Sequence, residues 1–350
     1  MGVVVIVLFM FISVLCFLEE RLSEKNKKLL YVIIAAILVL LAGFREVGID
    51  PDSENYEYAF HHYYDDRLTT AIEYSYFIIS AILSTMFSDV HALFLVYAIG
   101  GVVLKFIAFR KLSELWFAPV LVYISFFYEL HECTQIRTGV MSGLFMLAIP
   151  YLAERQRIKA LLPILLGVFF HMSALILLPF LFLGNDKLSK KQMLFWIISI
   201  PCAYLVYISG TNILVNIPIA YVENKLTNYQ GNADVIDVSV NVFSPLHFFT
   251  VLIFLYLMFF QETIIKYNKY FPIMMKIFAL GLFVYVAFAF LPVLSQRLSY
   301  LFRIVTIILF MNVYYTIRQK WIGMLLVVFI SFVYLNYALP YISAHLLWQG

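Results

Sequence analysis

The chain has very little charge. Only 13% of its 350 residues are Asp, Glu, Lys or Arg, against 63% that are hydrophobic. A soluble domain needs roughly a quarter to a third of its surface charged to stay dispersed, so a water-soluble globular fold is excluded. Cysteine is scarce too. Cys16, Cys133 and Cys202 have no metal-ligand spacing and are read as packing residues, and no metal or cofactor is expected. Strict apolar/polar alternation is missing, which argues against a β-barrel. The N-terminal run lacks a basic flank and a small-residue cleavage site, so it is read as a helix and not as a signal peptide. There is no detectable repeat, low-complexity linker or soluble domain, and no nucleic-acid partner is expected.

Long uncharged runs are what the chain does have. Residues 1–18, 29–44 and 277–296 contain no charged side chain. Runs from roughly 17 residues upward are long enough for membrane helices. The expected fold is all-α: a polytopic helical membrane protein, one integral domain over residues 1–350, with about 12 crossings and both termini outside. Six basic clusters, at 19–28, 105–111, 154–159, 187–191, 266–276 and 318–320, hold 18 of the 24 Lys and Arg residues. The positive-inside rule puts these clusters in the cytoplasm. Sidedness is consistent only if 160–183 is split at His171 into two short tilted or re-entrant helices. Residues 73–88 must likewise be an interfacial or re-entrant helix on the outer face.

The opposite, outer face then carries Arg45, Arg67, Arg137, Lys225, Arg297 and Arg303, with large loops at 45–72 and 210–243. Arginine binds phosphate through a planar multi-donor fork and stays charged at any relevant pH. Arg137, Arg297 and Arg303 sit beside or inside apolar runs, where an arginine lines a cavity or finds a partner; for Arg303 an acid such as Glu129 is the alternative. Arg67 reads as a solvated loop charge. His171, in "GVFFHMSALILLP", has either a structural role at a helix break or that of a general base near neutral pH. Asp50 and Asp52 in "DPD" weakly resemble a metal-binding pair, but "DPD" is also an ordinary turn.

Several stretches resemble one family in order along the chain. "FREVGIDPDSENY" resembles the first outer loop of EpsG-like proteins. "QIRTGVMSGLFMLAIPYLAERQRIKALLPILLGVFFHMSALILLP" resembles their signature block, and "RLSYLF" their late arginine-containing helix. The resemblance runs from about residue 40 to 305, departing at "GVMSG" and in the acidic 46–66 loop. It implies a Wzy-type polymerase of O-antigen, capsule or exopolysaccharide in the bacterial cytoplasmic (inner) membrane, active on the outer side. The implied donor and acceptor are oligosaccharide repeat units on undecaprenyl pyrophosphate, with membrane lipid, a chain-length regulator and a flippase as partners. The rivals are a polysaccharide ligase, a transferase using a lipid-monophosphate sugar, or a flippase or transporter. On this reading His171, or else Asp50, takes the acceptor proton. Arg137, Arg297, Arg303 and Arg45 bind the pyrophosphate, and Tyr56, Glu129 and Tyr300 contact sugar. The alternative for the first loop is that it folds over the bundle with Arg45 paired to Asp50.

Overall fold

The computed structural model describes residues 2–64, 74–209 and 240–347, with side chains described up to 338. Among them every regular element is helical. Six helices are long and apolar enough to cross a bilayer: Gly2–Arg21, Glu24–Gly43, His91–Leu112, Ile136–Ala153, Lys190–Ile208 and Lys320–Ala338. A seventh is added if Pro292–Arg303 and Thr306–Thr316, bent by 48°, make one broken span. The all-helical membrane class is therefore as expected; among the described residues length and composition identify six or seven spans, which does not confirm the count of about 12. The other apolar segments are shorter helices, such as Ala118–Phe127 and Phe271–Ala287.

The chain divides into two compact units. One is Met1–Asn185 with Phe310–Gly350, the other Asp186–Leu309. In the first, Glu24–Gly43 packs on His91–Leu112, which packs on Ile136–Ala153, which packs in turn on Arg157–Phe170. Small residues make the central contact possible. A Cβ on Gly143 would lie 2.8 Å from Leu104 Cβ, so only glycine allows the two backbones this close. The Gly2–Leu18 helix packs against Ala118–Val122 and Lys320–Leu347. In the second unit, Phe271–Ala287 is central, with Lys190–Ile208, Pro245–Phe259 and Pro292–Arg303 against it. Ser189 and Gln192 close a reciprocal capping box that starts the 190–208 helix.

The break at His171 is present. Arg157–Phe170 is α-helical, His171 is extended (φ −155°), and Met172–Phe182 continues as a 3₁₀ helix packed back on the first. At about 1.5 Å and about 2.0 Å per residue, each limb reaches only some 21–22 Å, short of a hydrocarbon core about 30 Å thick. The pair is a hairpin, not one ordinary span. Tyr74–Ser84 has 11 residues, also too few to cross.

Two expectations need correcting. Lys105 belongs to a basic cluster expected to face the cytoplasm, but it lies inside the 91–112 helix with no exposure. Cys202 was read as a packing residue, yet it sits on an exposed face of the 190–208 helix, while Cys16 and Cys133 are buried. Arg67, Lys225 and the loop 210–239 lie outside the described residues.

Candidate functional site

The first loop is organised by its own charges. Arg45 and Asp50 are both buried. Arg45 Nε donates to Asp50 Oδ2 at 3.0 Å and Nη1 to the Ala42 carbonyl at 2.7 Å. The guanidinium carbon lies 3.8 Å from the Phe94 ring centroid, a cation–π contact. Asp50 Oδ1 accepts from the Asp52 amide at 3.1 Å, and the Ser53 hydroxyl ties Gly48 N–H to the Asp50 carbonyl. Gly48 takes φ 89°, a conformation a side chain would resist. The local Arg45–Asp50 pair is thus the arrangement found. Both Asp50 oxygens are engaged, so it is poorly placed to take an acceptor proton, and Arg45 has only Nη2 without a partner among the described residues.

Beyond this knot, Ser53–His61 brings Tyr56 against the Tyr74–Ser84 helix. Tyr76 donates its hydroxyl proton to the Tyr56 carbonyl at 2.5 Å, and the two rings stack with centroids 5.8 Å apart. Arg137, half-buried at the start of the 136–153 helix, has its guanidinium carbon 5.9 Å from both ring centroids. The structure therefore brings Arg137 and Tyr56 together and adds Tyr76, which the sequence reading had not singled out. Tyr56 is only 8% exposed, packed among Tyr76, Phe94 and Val140, so its ring is covered where an open sugar platform was expected.

His171 is half-buried and caps the 3₁₀ segment. Its Nδ1 accepts the Ser173 amide proton at 3.2 Å and lies 2.7 Å from the Ser173 hydroxyl. An acceptor at Nδ1 leaves the proton of neutral imidazole on Nε2. In this arrangement Nε2 carries the ring proton.

Glu129 is half-buried in the helical stretch that continues Ala118–Phe127, and its carboxyl feels the charge of the Asp50 carboxylate.

Glu129 opens a second polar feature. Tyr123–Phe127 and Glu129–Thr134 are both π-helical. The wide turns point His131 and Glu132 inward, where both are buried. Lys105 donates to Glu132 and, at 2.6 Å, to the Gly139 carbonyl; the Tyr123 hydroxyl donates to Glu132 at 2.8 Å. Gly101 makes room for this carboxylate, since a Cβ there would overlap Glu132 Oε2. The pairing of Glu132 with Lys105 is not read from the sequence. The only clue was a lysine interrupting "GGVVLKFIAF".

An apolar cavity of about 730 Å³ opens beside the loop, lined by Val4, Ile37, Leu40, Leu41, Phe44, Ile49, Arg45 and Glu46. In the second unit, Arg297 is exposed on the Pro292–Arg303 helix and Tyr300 is half-buried. Arg303 is buried, its Nη2 3.5 Å from the Thr250 hydroxyl and its stem against Gly281. Among the described residues, no group of three His, Cys, Asp or Glu side chains is placed to hold a metal ion.

Residues 28–349 match the model of the EpsG family. No curated protein and no solved structure matches the chain.

Proposed function

The chain belongs to the EpsG family, and from that premise we propose that it is a membrane glycosyltransferase that polymerises lipid-linked oligosaccharide repeat units. The donor is a repeat unit on undecaprenyl pyrophosphate, used at the outer face of the bacterial cytoplasmic membrane. The observation that carries the reading is Arg137: a half-buried guanidinium against two tyrosine rings at the mouth of a membrane helix. A pyrophosphate-bearing amphiphile needs a fixed cation at the membrane boundary and lipid access from the side. The apolar cavity beside Arg45 supports the second requirement.

The chemistry is displacement at C1 of the donor sugar. The acceptor hydroxyl oxygen forms the new bond to C1, its proton passes to a carboxylate, and the C1–oxygen bond to pyrophosphate breaks. Glu129 is the assigned base: its half-buried carboxyl stands within electrostatic reach of Asp50 in the first loop, in the same unit as Arg137. Arg137 stabilises the charge that grows on the leaving pyrophosphate. His171 contributes an Nε2–H donor to the same anion. Arg45 and Asp50 act at one remove by holding the loop that carries Tyr56. Arg297, Arg303 and Tyr300 are retained as substrate contacts on residue chemistry alone.

Purified protein incubated with a lipid-linked repeat unit should yield a ladder of longer chains. A single addition to a different acceptor would identify a ligase. Movement of the unit across a vesicle membrane without elongation would identify a transporter.

A further inference from the structure

The loop joining the 136–153 and 157–170 helices, "ERQRIK", is not used by the proposed reaction. It surrounds a cavity of about 570 Å³ lined by Arg155, Gln156, Arg157, Ile158 and Lys159. All three cations are exposed. Glu154 beside it accepts a hydrogen bond from the Gln156 side-chain amide at 3.0 Å. Because the loop follows directly on a helix long and apolar enough to cross the bilayer, the cavity lies at a membrane boundary.

Two further observations separate this from an ordinary basic turn. Arg155 has φ 58°, the only non-glycine residue with positive φ among those described. The turn needs that conformation: the Arg155 amide bonds to the Leu152 carbonyl and the Gln156 amide to the Tyr151 carbonyl, which closes the helix end. Glycine suits such a position best, so an arginine there holds a strained backbone whose side chain faces the cavity rim. Second, an apolar stripe leaves the same mouth. Ile158, Leu162, Leu165 and Leu166 follow one another along one face of the 157–170 helix, with Ile158 85% and Leu162 71% exposed. Arg157 lies over the exposed Phe182 ring at 5.0 Å, joining the basic rim to this apolar surface.

We propose that this cavity is a binding site for an anionic phospholipid, its phosphodiester held by Arg155, Arg157 and Lys159 and its chains lying along the Ile158–Leu166 stripe. Positive side chains alone would attract any anion. The apolar track starting at the same point selects an amphiphile.

The test is native mass spectrometry of the full chain in neutral detergent, titrated with phosphatidylglycerol and with phosphatidylcholine of matched chains. Phosphatidylglycerol should bind about tenfold more tightly, or more. Arg155→Gly is the decisive variant, because the backbone there favours glycine. It should fold and melt at least as well as the parent while losing several-fold of its phosphatidylglycerol affinity. Arg157→Gln with Lys159→Gln should lose the preference altogether, and Leu162→Ser should weaken both lipids alike. Equal binding of the two lipids, unchanged binding in Arg155→Gly, or displacement of phosphatidylglycerol by millimolar inorganic phosphate would each overturn the proposal.

Discussion

Lys105 and Glu132 form an ion pair with both side chains wholly buried, and its removal has a calculable consequence. Lys105→Met leaves the Glu132 carboxylate with the Tyr123 hydroxyl as its remaining donor; Glu132→Gln leaves the ammonium with neutral acceptors only, the Gly139 carbonyl and the new amide oxygen. Breaking a buried pair from one side typically costs about 3–5 kcal/mol, because the remaining charge is uncompensated. A lone charge at helix depth costs roughly 2.5–3.5 kcal/mol on insertion scales, which gives the same order. The double variant Lys105→Met/Glu132→Gln strands no charge. It should recover at least about 2 kcal/mol of the summed single-variant losses, since neighbours in one network are strongly non-additive. The assay is a double-mutant cycle on denaturant unfolding of detergent-purified protein, followed by tryptophan fluorescence and helical circular dichroism. Single losses below about 1 kcal/mol that simply add in the double variant would refute the argument. The pair would then be hydrated in the folded protein, or the π-helical stretch would not hold Glu132 where Gly101 makes space for it.

Gly101→Ala should destabilise the same region and lower accumulation, as its Cβ would occupy the space of Glu132 Oε2; accumulation equal to the parent would contradict the packing. Arg137→Lys should cut chain elongation by about 10²-fold or more while the protein still accumulates, because lysine keeps the charge and loses the fork. Rate and chain length are read from product ladders. Glu129→Gln should lose most of the elongation activity while the protein still accumulates; elongation equal to the parent would remove Glu129 from the chemistry. Single cysteines at 171 and 190, in a background lacking native cysteines, should label from opposite sides with an impermeant thiol reagent; labelling of both from outside would reject the hairpin's expected sidedness.

Much of this protein is set by local composition. Uncharged runs of membrane length make it a helical membrane protein whatever their packing, because backbone polar groups in lipid must be satisfied within a helix. The halving of 160–183 was legible from His171 and the charges flanking that run, since one full crossing would have moved three lysines to the wrong side. The placement of Arg137 beside or inside an apolar run was legible in "QIRTGVMSG", and the structure puts it at the start of the 136–153 helix. Partner choice was not. Arg45 and Asp50 were recognised as interesting, but whether they face a substrate or each other depends on how the chain turns at Gly48 and on where Phe94 stands. Lys105 looked like part of a basic boundary cluster, and only packing against the π-helical turn shows that it finds Glu132. Tyr56 read as a sugar-facing ring until Tyr76, from a helix twenty residues on, was found stacked on it. Hydropathy is summed along a segment and survives any arrangement of its neighbours, whereas a charge or a ring takes its role from atoms within a few ångströms, and those come from distant parts of the chain.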